Sequence, residues 1–137
     1  SDEFIEHHKA VVECFLILWR KDPDNLRLFS KYELHERDDL PERKPDLYAV
    51  RKSPAPNRPT RVLIYVYEDD QLFVIKKHLK QVFEFYETED SDNCGLIIIC
   101  KNGAQERALL DHIEKLRDGY NVSLKTQVVT LKAFLQS

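Results

Sequence analysis

The stretch from Arg61 to Gly103 contains, in order, a dense apolar strand pattern, an amphipathic helix pattern, a second apolar strand pattern and a turn. Residues 62–67 read Val-Leu-Ile-Tyr-Val-Tyr, and residues 96–100 read Leu-Ile-Ile-Ile-Cys. Short runs that are rich in β-branched or aromatic residues and apolar on both faces are typical of central strands covered on both sides. This stretch therefore predicts a layered α/β core.

Between the two runs, apolar residues recur with the period of an α-helix. They are Leu72, Ile75, Leu79, Val82, Phe83 and Tyr86. The opposite side of this helix carries lysines and glutamates, and we expect it to face solvent, DNA or a partner. His78 lies between Lys77 and Leu79, and we expect it on the solvated side. Because a helix connects the two strands, they are predicted to be parallel neighbours with a right-handed connection.

The N-terminal part of the chain predicts one helix, one loop-rich segment and one strand. An apolar stripe at helical spacing predicts a helix over about residues 3–20, which ends before Pro23. Residues 24–44 mix isolated apolar residues with many charges, and we expect a surface excursion there. Residues 47–50 predict a strand that pairs antiparallel with residues 62–67, and three prolines mark the loop between them.

The C-terminal part predicts a further helix from about Ala104 to Arg117, with Gly119 suited to its C-terminal cap. Alternating apolar and polar residues from Val122 to Thr130 predict a final strand. The whole pattern predicts a single α/β domain over residues 1–137, with a mixed central sheet of about four strands flanked by helices.

Composition excludes several classes of protein. The 137 residues carry a net charge of −3, which excludes a globally basic nucleic-acid binder, so any contact with nucleic acid must be a local patch. No apolar run approaches the roughly 20 residues that span a bilayer, and we expect no membrane association. The three cysteines show no zinc-binding or disulfide spacing, and the three glycines form no phosphate-binding loop. We predict no metal and no cofactor.

The sequence Pro45-Asp46 at the start of a strand invites a comparison with metal-dependent nucleases. Their site needs such an aspartate, a second acidic residue and a lysine two positions after it. Residues 62–67 are followed by Glu68, Asp69 and Asp70, and no lysine stands two positions after any of them. We therefore predict a restriction-endonuclease-like topology without the catalytic motif and name no catalytic residue. The five histidines lack a zinc-protease spacing, and we expect surface or partly buried imidazoles.

The turn after residues 96–100 is the candidate DNA contact. Lys101, Asn102, Gln105 and Arg107 lie where a parallel strand leads into a helix. Backbone donors and polar side chains at such a place can meet a phosphate. The alternative is a plain strand-to-helix turn, and the two interpretations are about equally favoured.

The order of these motifs resembles the N-terminal jaw domain of the fifth subunit, shared among eukaryotic nuclear RNA polymerases. In that family an aromatic and aliphatic helix opens the domain, and a charged segment and an Arg-x-Asp-Leu-like strand start follow. The strand start resembles Arg43, Lys44, Asp46 and Leu47, and the loop that follows it resembles Asn57, Arg58, Pro59 and Thr60. The family's acid-ended strand and the start of its helix resemble Glu68 with Phe73, Val74, Ile75 and Lys76. Its last strand and turn resemble Leu96–Cys100 with Lys101, Asn102 and Gly103. The resemblance spans nearly the whole chain.

The chain also departs from that family. After the turn the family carries Thr-Pro-Ser-Ala at the tip that approaches downstream DNA, where this chain has Ala104, Gln105, Glu106 and Arg107. Phe73 replaces a glycine-bearing stretch, and the family's C-terminal module does not follow Ser137. The chain therefore resembles a divergent member of the family, a specialised paralogue or an isolated N-terminal fragment.

The resemblance implies a non-catalytic structural domain of a nuclear RNA polymerase that contributes to the jaw near downstream DNA during transcription. The implied partners are the largest subunit, other polymerase subunits, transcription factors and downstream duplex DNA, which is bound weakly and only in the complex. The implied location is the nucleus. Two other classes stay open: a metal-dependent nuclease using Asp46 and Glu68, and a small protein-interaction adaptor with an exposed apolar patch around Phe29 and Tyr32.

Overall fold

A computed structural model describes residues 2–137, which form five strands and four α-helices around one sheet. In chain order the elements are α1 (Asp2–Lys21), β1 (Leu26–Ser30), a 3-10 turn (Lys31–Glu33), β2 (Leu47–Arg51), β3 (Arg61–Tyr67), α2 (Leu72–Thr88), β4 (Cys94–Cys100), α3 (Gly103–Gly119), β5 (Lys125–Thr130) and α4 (Leu131–Leu135). The predicted α/β class, with a mixed sheet flanked by helices, is confirmed. The sheet has one strand more than the predicted four.

The strands lie in the sheet in their order along the chain. β1 and β2 pair antiparallel, as do β2 and β3, whereas β3, β4 and β5 are parallel. Ile64 at the centre of β3 lies opposite Leu47 on one side and Ile97 on the other. Each parallel connection contains a helix, as parallel strands require. Both predicted pairings of β3 are therefore confirmed.

Alternating side chains of β3 and β4 divide the apolar interior into two layers. Leu63, Tyr65 and Tyr67 face the layer under α2 and α3. Ile64 and Val66 face the layer under α1 and α4. Because both faces of these strands are apolar, helices must cover both sides, and full burial of one such side chain contributes about 1.5–3 kcal/mol.

Two features differ from the sequence prediction. The segment 24–44 contains edge strand β1, and its Leu34 and Leu40 are buried in the layer under α2 and α3. Local periodicity missed this because β1 is stabilised by its pairing with β2 rather than by its own pattern. Gly119 is the last helical residue and not the cap, since Tyr120, with a φ of −128°, is the C-cap.

No helix among the described residues is long and apolar enough to cross a membrane.

Gly95 in β4 tests the packing of the central strands. A Cβ atom at Gly95 would lie 2.8 Å from Cγ of Pro59, which is closer than carbon atoms approach. We expect Gly95→Ala to lower the free energy of unfolding by about 1–3 kcal/mol, because the proline ring has to shift. Gly119→Ala is the control: a Cβ there meets nothing within 4 Å, and the free energy should stay or rise by up to about 1 kcal/mol. Chemical denaturation of both variants measures this, and equal stabilities would contradict the packing.

Candidate functional site at the edge of the sheet

Two carboxylates meet at the edge of the sheet where β3 ends. Asp46 immediately precedes β2 and Glu68 immediately follows β3. Because β2 and β3 are antiparallel, the start of one lies beside the end of the other. Helix α1 places His7 between the two acids. Its Nε2 lies 2.9 Å from Oδ1 of Asp46, and its Nδ1 lies 2.9 Å from Oε2 of Glu68.

Asp46 is held firmly in this cluster. It is only 7% exposed, and its second carboxylate oxygen, Oδ2, accepts a 2.8 Å hydrogen bond from the backbone N–H of Val66. A buried carboxylate is tolerated only when it is paired and hydrogen-bonded. The His7 ring and the Val66 backbone supply both requirements, so Asp46 fixes the start of β2 against β3 and α1.

The geometry determines the protonation of His7. A neutral imidazole has one N–H donor, whereas the imidazolium has two. Both ring nitrogens of His7 face a carboxylate oxygen, so both act as donors. The hydrogen bond to Asp46 raises the pKa of His7 to about 9 against the opposing effect of partial burial, and the hydrogen bond to Glu68 acts in the same direction as Asp46. His7 is therefore a cation at neutral pH.

An open cleft of about 750 Å³ lies over this cluster. Carboxylates dominate its walls, and the lining residues are Asp2, Glu3, Phe4, Glu6, His7, Arg43, Glu68, Asp69 and Asp70. Six acidic residues against one arginine and one histidinium give this cleft a negative potential. A DNA phosphate is disfavoured inside the cleft.

The turn predicted to contact DNA lies at the same edge. Tyr67 and Cys100 are paired across β3 and β4, so Lys101 follows its strand beside Glu68. Asn102 is the N-cap of α3, and its side chain accepts a 2.9 Å hydrogen bond from the backbone N–H of Gln105. The buried Gln105 side chain donates to the carbonyl oxygen of Asp70 at 3.0 Å and accepts from the N–H of Lys101.

These contacts separate the four candidate residues into two kinds. Asn102 and Gln105 already have structural partners within the chain. Lys101 and Arg107 are exposed at the turn. A contact with DNA by these two cations stays a prediction.

The expectation that His78 lies on a solvated face is wrong. His78 is 3% exposed and lies three residues after Ile75 on the buried side of α2. Its Nδ1 is hydrogen-bonded to the hydroxyl of Tyr67, and its ring packs edge-on against Tyr65 at 4.5 Å between centroids. Burial lowers the pKa of His78 to about 3, so the ring is neutral and helps to fill the core.

His7 is not among the predicted site residues, although its position on α1 carries a signal. His7, Ala10, Cys14 and Leu18 follow one another at helical spacing, and the last three are the buried residues of α1. A titratable residue at the end of a buried stripe requires a polar partner in the fold. That rule predicts a partner for His7, but only the tertiary structure identifies Asp46 and Glu68.

The three cysteines are buried thiols. Burial raises the pKa of Cys14 to about 12 and also raises the pKa values of Cys94 and Cys100. Because the thiolate is the nucleophilic form, these residues are unreactive at neutral pH. In the described part of the chain, no group of three or more His, Cys, Asp or Glu side chains is arranged to hold a metal ion.

Comparisons with known protein families, with curated proteins and with solved structures found no match.

The chemistry of the cluster follows from its own geometry. A protonated imidazole lies where two carboxylates converge, and it neutralises part of their charge. The cluster is an internal ionic bridge that joins α1 to the sheet.

The bridge predicts a pH-dependent stability. We expect His7→Gln to lower the free energy of unfolding by about 1–3 kcal/mol at pH 6, because two carboxylates lose their cationic partner. The pKa of His7 is higher in the folded state, so its contribution is complete below the ordinary value of 6.5 and is lost as the pH rises through about 9. The difference between wild type and variant should therefore shrink between these values.

Denaturant titrations from pH 6 to pH 10 measure this difference. His8→Gln is the matched control, because His8 is exposed on the same helix and stacks on the exposed Phe4. We expect it to change the stability by less than about 0.5 kcal/mol. A loss in His7→Gln that is the same at every pH would contradict the ionic bridge.

Proposed function

We propose that this chain is a non-catalytic structural domain of a nuclear RNA polymerase and contributes to the jaw near downstream DNA. The ordered set of motifs from Arg43 to Gly103 supports the polymerase family. The position of His7 between Asp46 and Glu68 is the single observation that supports the absence of catalysis. Such a domain works through its contacts in the assembled enzyme, and polymerisation belongs to other subunits.

The predicted restriction-endonuclease-like topology would use acids at the ends of neighbouring strands, and Asp46 and Glu68 lie at such ends. In that chemistry the carboxylates hold a divalent cation, and a lysine assists the attacking water. Here the His7 cation lies between the carboxylates, and Glu68 is followed by Asp69 and Asp70 without a lysine. We infer that the topology is retained and that the acids now stabilise the fold.

Charge supports a weak, assembly-dependent contact with DNA. The net charge is −3, and the cleft beside the turn is acidic. Few phosphates can be neutralised by such a surface, and tight autonomous binding needs many. Lys101 and Arg107 are the exposed cations at the turn, so the proposal assigns the phosphate contact to them.

Membership of the polymerase is tested by affinity purification of the tagged full-length gene product from its native cells at mild salt. We expect mass spectrometry to identify the large polymerase subunits. The identity of the largest subunit then shows which nuclear polymerase contains this chain. Untagged cells are the control. Absence of every polymerase subunit from the tagged sample would overturn the proposal.

The DNA contact is tested in the assembled polymerase with Lys101→Ala and Arg107→Ala. We expect each change to weaken binding to a similar degree on different sequences and to reduce the slope of log affinity against log salt by about 1. Lys115→Ala is the control, because Lys115 is exposed on the same helix but pairs with Asp111. An unchanged salt slope in both test variants would reject the contact.

A metal-dependent nuclease is the second candidate, because Asp46 and Glu68 do converge on one cationic group. Under the main proposal, the purified chain leaves duplex and branched DNA intact with Mg²⁺ or Mn²⁺. Cleavage that Asp46→Asn abolishes would favour the nuclease. The adaptor alternative loses part of its predicted patch, since Phe29 packs against Tyr48 and only Tyr32 is strongly exposed.

A further inference from the structure

Helix α1 carries an apolar stripe on the face opposite the core. Ala10, Cys14 and Leu18 are its buried residues. Ile5, Val12, Leu16 and Trp19 lie about 180° away on the helix and are 60%, 43%, 40% and 51% exposed. The apolar face of a helix is normally buried, and a large exposed apolar patch marks an interaction site. We therefore expect the outer stripe of α1 to be covered by another protein surface.

We propose that this stripe is a homodimer interface in which two copies of α1 pack antiparallel about a twofold axis at Val12. The positions of the apolar residues fit this symmetry. Ile5 lies seven residues before Val12, and Trp19 lies seven residues after it. A twofold axis at Val12 places Ile5 of each copy opposite Trp19 of the other and places Val12 opposite itself.

Charged residues beside the stripe support the same axis. Glu6, Lys9, Glu13 and Arg20 lie about 60–120° from Val12 on one flank of the helix. The twofold axis of an antiparallel pair brings equal flanks together. Lys9 lies three residues before Val12 and Glu13 one residue after it, so each Lys9 comes within about 3 Å, along the helix axis, of the partner copy's Glu13.

Glu6 and Arg20 of the partner copy form a second pair of opposite charges, farther from the twofold axis. Glu6 lies six residues before Val12 and Arg20 eight residues after it, which again leaves an offset of about 3 Å along the helix. The pairing therefore gives four ion pairs of opposite sign. None of these four residues forms an ion pair within residues 2–137.

In a parallel pair the twofold axis runs along the helices and brings opposite flanks together. The charged flank of each copy would then face the flank of Val11 and Phe15 on the other, where its charges meet no residue of opposite sign. The alternation of acid and base along one flank thus favours the antiparallel dimer over a parallel one. This inference is independent of the proposed polymerase function, because it concerns the isolated chain.

The test is sedimentation velocity of the purified chain from about 1 µM to about 1 mM, the range of weak protein pairs. We expect a monomer–dimer equilibrium in which Val12→Glu raises the dissociation constant at least tenfold, because two carboxylates then meet at the axis. Phe73→Glu is the control, since Phe73 is 67% exposed on α2, and it should leave the constant unchanged. Circular dichroism verifies that both variants fold.

A charge exchange tests the orientation of the helices. Glu13→Lys should weaken the dimer, and the double variant Lys9→Glu with Glu13→Lys should restore it, because the exchanged pair has the same attraction. Val12→Cys should also form an intermolecular disulfide on oxidation, since the native cysteines are buried. A chain that stays monomeric at every concentration would overturn the proposal, even if a different protein covers the stripe. A dimer that Val12→Glu does not weaken would also overturn it.

Discussion

A protonated imidazole between two carboxylates joins the first helix of this protein to its sheet. His7 reaches Asp46 at the start of β2 and Glu68 at the end of β3, and both distances are 2.9 Å. The bridge provides the opposite charge that the buried Asp46 requires. It therefore fixes three elements that are far apart in sequence: the N-terminal half of α1, the start of β2 and the end of β3.

The same bridge affects whether cations or DNA can bind at the end of β3. The carboxylates that would hold a cation in a nuclease face the His7 cation instead, and the surrounding acids make the cleft negative. The proposed contact with DNA therefore rests on Lys101 and Arg107, the exposed cations at the neighbouring turn. Because the inner face of α1 is committed to the sheet, its exposed apolar stripe remains for association. These features support the proposal of a domain that acts through its surfaces.

The layered core is predictable from sequence because its signals are local. The runs at residues 62–67 and 96–100 are apolar on both faces, and the helix between them has a clear stripe. Strand β1 is not predictable in this way, since an edge strand of five residues depends on its partner. Residue type alone predicts a cap at Gly119, but the helix continues through it.

The candidate site divides in the same manner. Asp46 and Glu68 were identified because each lies beside a strong strand, and antiparallel pairing brings such positions together. His7 was missed because its role depends on contacts across 39 and 61 residues. His78 was misplaced because its helical position was judged by its lysine neighbour and not by its spacing from Ile75. Long-range polar contacts therefore limit what sequence alone predicts here.

The role of the bridge depends on His7 being a cation held by Asp46 and Glu68. NMR of the imidazole nitrogens from pH 6 to pH 10, with His7 assigned through its loss in His7→Gln, measures this directly. We expect both ring nitrogens of His7 to carry protons at pH 7 and the ring to titrate near pH 9. If His7 instead titrates near its ordinary pKa of 6.5, with one ring nitrogen unprotonated at pH 7, the ionic bridge does not exist.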